Sequence, residues 1–282
     1  MLQNLKNTSK QYAIVAGNGP SLADIDYTRL PPPPPHSCDS LEQQSYDVFR
    51  CNQFYFEDKY YLGREVCFAF ANPSVLFEQS YTYQTLTYKK EYNIQNIVVS
   101  EFHLNHLNTP YRLNKRLFSD IICGGDVLYL LADFFAFVRH NGLHYYKNIT
   151  SGIYMCAFAT ALGYKKIYLA GIDLYLTKPY AFDTMRPNLL TLNPDFTQTP
   201  SSIHSPETDI EALMFLANTY GVEFYTISPK SPLANHIPLA DSINNNTFIV
   251  EEKQDNSIND MLIPSKTAYD KLHYEMQQAN SL

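Results

Sequence analysis

The sequence predicts an α/β fold in which a parallel sheet is covered on both faces. Short apolar segments of strand length alternate along the chain with longer helical segments, as in a parallel sheet with crossover helices. The first strand ends in the turn Gly17-Asn18-Gly19, at a strand end of the kind where open α/β sheets bind ligands. The ordinary dinucleotide fingerprint is excluded, because Leu22 stands where its third glycine would be.

The predicted elements follow from apolar patterning and from the residues at their ends. The helix at 151–162 ends where Gly163 interrupts the pattern, and a later helix begins with Ser205 as N-cap and Pro206 in its first turn. The segment at 166–172 is apolar enough to be a central strand buried on both faces. We expect strands at residues 12–16, 47–50, 66–70, 97–99, 166–172 and 222–227. We expect helices at residues 20–27, 126–138, 151–162 and from 206 onward.

A single domain spanning residues 1–282 is expected, since no internal repeat is visible. Two segments depart from the alternating pattern. Residues 31–46 begin with five successive prolines, which predicts a stiff surface loop. Residues 174–205 are long and lack periodicity, which predicts a lid over a functional site.

Composition excludes several classes of protein. A net charge of −7 argues against binding along nucleic acid, because phosphate-backbone binders need clustered Lys and Arg. The five cysteines form no CxxC pair, which indicates free thiols in a reducing compartment. The longest apolar run, residues 127–138, contains Asp133 and is well short of the ~20 residues that span a bilayer. We therefore expect a cytoplasmic protein, with attachment to a membrane face left open.

Polar side chains follow several of the predicted strands. Asn18 follows the first strand, Asn52 and Gln53 the second, Asn72 the third, and Asp173 a later one. Open α/β sheets bind ligands at the carboxyl ends of their strands. Amides both donate and accept hydrogen bonds, so they suit a nucleobase or a ligand with many hydroxyl groups. Capping of a local turn is the alternative for each Asn taken singly.

The glycines of the first turn suggest a further contact. Gly17 and Gly19 carry no side chain, so we expect backbone N–H groups at the start of the next helix to approach a ligand here. The following helix would present its positive end there, which favours phosphate.

A metal site is not predicted. Asp24 and Asp26 resemble the DxD pair of many sugar-nucleotide enzymes, but residues two apart on a helix point in different directions. His103 and His106 share a helical face without an evident third ligand, and a zinc site needs three or four.

The predicted lid contributes three candidates for chemistry. Tyr175 and Tyr180 could donate hydrogen bonds to charge that develops on a leaving phosphate, or could simply pack the lid closed. His204 immediately precedes the N-cap of a helix, whose positive end keeps an imidazole neutral and basic. A general base and a purely structural histidine are both compatible with that position.

Longer motifs connect these residues and run in order from Tyr12 to about Asp270. The motifs are AIVAGNGPSL, DYTRLP, YDVFRCNQFYFEDKYYLG, the NP and FEQ between Asn72 and Gln79, ITSGIYMCA, ALGYKKIYLAGIDLY, YAFDT, HSPETDIEAL and LANHI. In these motifs the chain resembles the small bacterial sialyltransferases of glycosyltransferase family 42, which are α-2,3 and α-2,8 lipooligosaccharide sialyltransferases.

The resemblance implies a Rossmann-like nucleotide-binding sheet, a variant of the GT-A fold, with a small lid subdomain. It implies inverting, metal-independent transfer of sialic acid from CMP-sialic acid to a terminal galactose of lipooligosaccharide, with no cofactor besides the donor. It makes His204 the general base, and Tyr175 and Tyr180 the groups that bind the leaving phosphate. The residues that it places around the donor are Asn18, Gly19, Asn52, Gln53, Asn72, Gln79, Thr150, Ser151, Gly152, Gly171, Asp173 and Leu174.

The resemblance also implies a homotetramer and an acceptor that ends in galactose or sialic acid. It leaves open peripheral attachment to the inner face of the bacterial inner membrane. Asn148 stands where members of the family carry Arg, and Ser201 where they carry Tyr, and either change could alter donor or acceptor preference. The alternatives are a bifunctional α-2,3/α-2,8 enzyme, a relative that uses another nucleotide sugar, and a non-catalytic binding module.

Overall fold

The structure is a computed structural model that describes residues 10–32, 45–100, 120–174, 180–182, 203–243 and 248–254. The strands in these ranges are β1 (Tyr12–Ala16), β2 (Tyr46–Cys51), β3 (Lys59–Tyr60), β4 (Glu65–Ala71), β5 (Asn93–Val99), β6 (Ile121–Cys123), β7 (Lys166–Ala170), β8 (Glu223–Thr226) and β9 (Glu251–Glu252). Seven of them form one parallel sheet in the order β6-β5-β4-β2-β1-β7-β8, and β3 pairs antiparallel with β9. The predicted α/β fold with a nucleotide-binding type of sheet is confirmed.

Helices and 3₁₀ turns cover the two faces of this sheet. Side chains alternate along β1, so that Ala13 and Val15 join one buried cluster while Ile14 and Ala16 join another. The first cluster contains apolar residues of the helices Ser151–Ala161 and Pro206–Tyr220, and the second contains residues of the 3₁₀ turns after β1. The α-helices in the described ranges are α1 (Leu76–Tyr88), α2 (Gly124–Leu128), α3 (Ala132–Tyr145), α4 (Ser151–Ala161) and α5 (Pro206–Tyr220).

The strand order reverses at β1. From β1 the chain builds outward through β2, β4, β5 and β6 on one side, and then returns to add β7 and β8 on the other. The loops after β1 and β7 therefore follow neighbouring strands at the carboxyl edge of the sheet. Open α/β sheets bind ligands at this topological switch point.

The helix predicted at 20–27 is wrong. The chain instead forms 3₁₀ turns at Pro20–Asp24 and Tyr27–Arg29. Between them, the N–H of Asp26 donates to the carbonyl of Ile227 at 2.9 Å, and the Asp26 carboxylate accepts from the N–H of Thr28 at 3.1 Å. A tertiary bond and a local side-chain bond thus replace the bonds that would continue a helix.

The helix predicted at 126–138 is interrupted, because α2 ends at Leu128 and α3 starts at Ala132. The second helix begins against α5, where the N–H of Phe134 donates to the hydroxyl of Tyr220 at 3.1 Å. That hydroxyl satisfies one of the first N–H groups of α3, which have no partner within the helix. The residues between α2 and α3 are as apolar as the helices themselves, so the sequence did not reveal the interruption.

The loop after β2 is held by a buried ion pair. Arg50 Nη2 lies 2.7 Å from Glu57 Oε2, and both side chains are almost completely buried. Tyr92 donates to the other Glu57 oxygen at 2.7 Å, and the Arg50 guanidinium lies 5.0 Å from the centre of the Phe54 ring. This network connects both ends of the segment that carries Asn52.

Parts of the predicted organisation lie outside the described residues. These are most of the lid at 174–205, including Tyr175, and most of the Pro-rich loop at 31–46. Among the helices that the structure describes, none has both the length and the apolar character that crossing a bilayer requires.

Candidate active site

A cavity lies at the switch point, where the carboxyl ends of β1, β2 and β7 meet the N-terminus of α4. Most of the residues expected around the donor line it, together with Tyr180 from the predicted lid. The lining residues are Gly17, Asn18, Gly19, Cys51, Asn52, Thr150, Ser151, Gly152, Gly171, Ile172, Asp173, Leu174, Tyr180 and Asp209.

The glycines after β1 let two loops approach closely. The N–H of Gly17 donates to the carbonyl of Ala170 at 2.9 Å, and the N–H of Gly19 donates to the carbonyl of Gly171 at 2.8 Å. A Cβ on Gly17 would collide with the Gly171 carbonyl, and a Cβ on Gly19 would lie 2.5 Å from Asp173 Oδ2. The N–H groups of these two glycines therefore join the turn after β1 to the end of β7 and the residue that follows it.

Two buried side chains of the cavity lining, Asn18 and Asp173, are each held by one hydrogen bond to a neighbouring loop. Asn18 Nδ2 donates to the Cys51 carbonyl at 3.1 Å, and Asp173 Oδ2 accepts from the N–H of Ser21 at 2.8 Å. Asn18 Oδ1 and Asp173 Oδ1 are buried, and neither has a hydrogen-bond partner within the described ranges. Since buried polar atoms are nearly always paired, these two oxygens are suited to accept from the hydroxyl or amino groups of a ligand.

Asn52 is fixed in a left-handed backbone conformation, with φ at 53°. Its N–H donates to the Phe70 carbonyl at 2.8 Å, and its carbonyl accepts from the Tyr83 hydroxyl at 2.7 Å. The side-chain amide donates to Ser151 Oγ at 3.3 Å. Asn tolerates this backbone better than most residues, so the fold directs the amide across the cavity to the start of α4.

Thr150 occupies the N-cap position of α4, but its side chain makes no capping hydrogen bond. Its N–H and hydroxyl donate instead to the two carboxyl oxygens of Asp209, at 2.9 and 2.7 Å. Burial raises the pKa of Asp209 to about 7, and the bonds from Thr150 oppose that shift. Ser151 and Gly152 bring the first turn of α4 to the cavity, and the positive end of a helix favours a phosphate or carboxylate group there.

His204 precedes Ser205, which caps α5 as predicted by accepting from the N–H of Thr208 at 3.2 Å. Nδ1 of His204 lies 2.8 Å from the Asn148 carbonyl. A carbonyl only accepts, so Nδ1 carries the proton and the lone pair is on Nε2. Burial lowers the pKa of His204 below its ordinary value; the bond to Asn148 opposes this shift and the charge of Lys147 adds to it. The imidazole is therefore neutral at pH 7.

Tyr180 reaches the cavity from the short described part of the lid. Its ring stacks on Phe182, with centroids 4.9 Å apart and planes at 11°. Phe182 packs in turn against Phe56, and the N–H of Ala181 donates to the Asn18 carbonyl at 2.8 Å. The segment is thus attached to the turn after β1.

Three residues expected around the donor do not line the cavity. Gln53 starts the 3₁₀ turn Phe54–Phe56 after β2. Gln79 is fully buried on α1 and accepts from the N–H of Asn72 at 2.7 Å. Gln79 therefore supports the turn after β4.

The acidic pair of the sequence motif is divided between two local structures. Asp24 pairs with Lys230 at 2.6 Å, whereas Asp26 accepts from Thr28. His103 and His106 lie outside the described residues. Within the part of the chain that the structure describes, no three His, Cys, Asp or Glu side chains are grouped so that they could hold a metal ion.

Comparison with known proteins identifies the family. The sequence model of the alpha-2,3-sialyltransferase (CST-I) family matches residues 11–281. The chain belongs to this family. It is a CMP-sialic acid-dependent glycosyltransferase, and the family resemblance and enzyme class inferred from the sequence are confirmed.

Solved structures with the same fold include two sialyltransferases of Campylobacter jejuni. CstII, in complex with the substrate analogue CMP-3FNeuAc, is 46% identical, with a TM-score of 0.79 over 93% of this chain and 98% of that chain. The monofunctional alpha-2,3-sialyltransferase Cst-I is 44% identical, with a TM-score of 0.81 over 98% of this chain and 96% of that one. An uncharacterised protein of Haemophilus influenzae is 44% identical over 64% of this chain and 81% of its own length.

The sequence of this sialyltransferase differs from the family pattern at two positions, Asn148 and Ser201. The contact from position 148 to His204 is made by the backbone carbonyl, so it does not require a particular side chain. The Asn148 side chain is directed to α3, since its Oδ1 would lie 3.2 Å from a Cβ on Gly142. Ser201 lies outside the described residues.

Asp209 was not singled out in the sequence analysis, although the sialyltransferase buries it beside the cavity. The signal was present in the helical spacing. Asp209 begins the stripe of α5 that continues with Ala212, Leu213 and Leu216, all of which are buried. An acidic residue on the apolar face of a helix calls for a specific partner, because burying an unpaired carboxylate is costly.

Proposed function

We propose that this sialyltransferase transfers sialic acid, with inversion and without a metal ion, from CMP-sialic acid to a terminal galactose of lipooligosaccharide in an α-2,3 linkage. Family membership and the complex of CstII with CMP-3FNeuAc support the donor. A CST-II structure that holds a trisaccharide acceptor and CMP supports an oligosaccharide acceptor. The family description supports the linkage.

The donor's polar groups fit the polarity of the cavity. We assign the anionic groups to the N-terminal turn of α4 and to the hydroxyl of Tyr180, since both offer hydrogen-bond donors. We assign hydroxyl and amino groups of the nucleoside to the acceptor oxygens Asn18 Oδ1 and Asp173 Oδ1. Tyr175 is assigned beside Tyr180 on the family resemblance.

The observation that carries the mechanism is the hydrogen bond from His204 Nδ1 to the Asn148 carbonyl. It places the lone pair on Nε2 of a neutral imidazole, beside the segment that leads into Thr150. In the proposed step, the acceptor oxygen forms a bond to the anomeric carbon of sialic acid while the bond from that carbon to the phosphate oxygen of CMP breaks. The acceptor's proton passes to Nε2, and CMP leaves with the electron pair.

The leaving phosphate gains negative charge in this step. Tyr180, and Tyr175 with it, would stabilise that charge by hydrogen bonds. The carboxylate of sialic acid lies beside the reacting carbon and moderates the positive charge that develops there. The enzyme therefore needs to position the acceptor and receive its proton, which are the two tasks assigned to His204 and its surroundings.

The deciding experiment is transfer from CMP-sialic acid to a fluorescent lactoside, with and without EDTA, followed by determination of the linkage. An α-2,3 product in equal yield under both conditions is expected. A sialylated product whose formation EDTA abolishes would refute metal independence, and an α-2,8 product on a sialyl-lactoside would show the bifunctional alternative. Failure to transfer sialic acid to any galactose or sialyl acceptor would refute the proposed acceptor class.

The oligomeric state and the subcellular location of the enzyme are proposed from the family resemblance. We propose a homotetramer in the cytoplasm that works at the inner face of the inner membrane. Light scattering in solution tests the assembly, and cell fractionation tests the location.

A further inference from the structure

Two polypeptide segments that carry different parts of the proposed machinery run side by side next to the cavity. The segment before α4 leads from Asn148 to Thr150, and the segment that starts α5 leads from Ile203 to Asp209. The N–H of Asn148 donates to the Ile203 carbonyl at 2.7 Å, and His204 Nδ1 donates to the Asn148 carbonyl at 2.8 Å. These two bonds attach the segments at the end that carries the proposed base.

The other end of this contact depends on one side chain. Asp209 Oδ1 accepts from the N–H of Thr150 at 2.9 Å, and Asp209 Oδ2 accepts from the Thr150 hydroxyl at 2.7 Å. Asp209 is 1% exposed and Thr150 is 8% exposed, so water does not readily replace these bonds. Both residues line the cavity.

We propose that Asp209 is a positioning residue for the transfer reaction: its carboxyl group fixes the start of α4, which holds the donor, relative to the start of α5, which carries His204. This inference rests on the proposed function, since it assigns His204 to the acceptor and the N-terminus of α4 to the donor. A bidentate side-chain contact sets both the distance and the orientation between the two helix starts. Proximity and orientation matter here, because a displacement of about 1 Å can lower a rate about 10²-fold.

The bonds to Thr150 do not require the carboxyl group to be charged. Burial raises the pKa of Asp209 to about 7, so both protonation states are populated near neutral pH. In the neutral acid, one oxygen still accepts from the N–H of Thr150, while the protonated oxygen donates to the rotatable hydroxyl. An Asn side chain reproduces this arrangement, with Oδ1 as the acceptor and Nδ2 as the donor. Asp209→Asn therefore keeps the contact, and Asp209→Ala removes it.

The experiment compares Asp209→Ala, Asp209→Asn and wild type in transfer from CMP-sialic acid to a lactoside, together with CMP binding by calorimetry. We expect Asp209→Ala to lower kcat by about 10- to 100-fold while the Kd of CMP changes less than about threefold. Asp209→Asn is expected to restore kcat to within about threefold of wild type. Glu207→Ala is the matched control, since it removes an exposed carboxyl group from the same turn of α5.

Distinct outcomes would overturn the inference. If Asp209→Ala keeps the wild-type kcat per folded molecule, the residue only stabilises the fold. If kcat falls as much in Asp209→Asn as in Asp209→Ala, the reaction depends on the charge of the carboxylate and not on the contact with Thr150. Should Asp209→Ala fail to fold, Asp209→Glu retains a carboxyl group but displaces it by one methylene, and a wild-type kcat in that variant would also contradict positioning. Absence of transfer by the wild type would refute the proposed function, and this result is distinguishable from each of the others.

Discussion

Replacing His204 with Asn separates the two functions that its ring combines. The Asn amide can donate to the Asn148 carbonyl, as Nδ1 of His204 does at 2.8 Å, but it has no group in the place of Nε2. His204→Asn therefore keeps the hydrogen bond that holds the segment and removes the proposed base. A structural role and a catalytic role for His204 predict different results for this variant.

The expected magnitude follows from general-base catalysis, which contributes about 10²–10⁴-fold to a rate. That range corresponds to about 3 to 5 kcal/mol of the activation barrier. We expect kcat for His204→Asn to fall within it. The Kd of CMP should change less than about twofold, because no residue assigned to the donor is altered. CMP release in a coupled assay gives kcat, and titration calorimetry gives the Kd.

The pH profile gives the sign of the effect. Burial lowers the pKa of His204 below its ordinary value, so the base is present at pH 7 and is lost as the pH falls through that lowered pKa. We expect kcat/KM to be level between about pH 7 and 8 and to fall about tenfold per pH unit below the pKa. Asp209 titrates close to this region, with a pKa of about 7. The low-pH decline should therefore persist in Asp209→Asn if His204 causes it.

Three results would refute the assignment of His204 as base. The first is a kcat for His204→Asn within about threefold of wild type. The second is an equal loss of kcat and of CMP affinity, which indicates a structural role. The third is disappearance of the low-pH decline in Asp209→Asn. His236→Asn is the matched control, since His236 is an exposed residue at the C-cap of the 3₁₀ turn Pro232–Asn235.

Further predictions concern the leaving group and the stability of the site. Tyr180→Phe should lower kcat by about tenfold or more and change the KM of CMP-sialic acid less, because its hydroxyl acts on charge that develops during the reaction. The control is Tyr225→Phe, which alters a half-buried tyrosine on β8. Unchanged turnover in Tyr180→Phe would remove Tyr180 from the mechanism. Gly19→Ala should reduce the free energy of unfolding by about 1–3 kcal/mol, since its Cβ would lie 2.5 Å from Asp173 Oδ2. Unfolding in urea measures this loss. Wild-type stability of the variant would show that the loops after β1 and β7 can separate without cost. Glu57→Ala leaves Arg50 buried without its partner and should cost about 3–5 kcal/mol in the same assay. A smaller loss than about 1 kcal/mol would show that water reaches the pair.

The sequence predicted six of the seven strands of the sheet, because the central ones are buried runs with a strong pattern, and it missed the short edge strand β6. The predicted strand at 47–50 extends to Tyr46–Cys51, and that at 66–70 extends to Glu65–Ala71. The helix α1 was missed. Its sequence, LFEQSYTYQTLTY, is rich in Thr and Tyr, which are weak helix formers, and packing against β4 and β5 determines its conformation.

The residues of the cavity were predicted where they follow strands, because strand ends are visible in sequence. Asn18, Asn52 and Asp173 belong to this group. The partners of these side chains were not predictable in the same way. The Cys51 carbonyl that holds Asn18 and the Ser21 N–H that holds Asp173 come from other loops, and only the strand order brings them together.

The proposed base is oriented by a backbone carbonyl, so the residue at position 148 can differ from the family pattern without loss of this contact. The groups that orient His204 and attach α4 to α5 are the Asn148 carbonyl, the Asn148 N–H and the N–H of Thr150, and every residue except proline supplies both kinds of group. A side chain at position 148 is therefore available to vary with the substrate. The carboxyl group of Asp209 is different, because no backbone group replaces it. Substitutions that change specificity should accordingly be tolerated at Asn148, while Asp209 should accept only Asn.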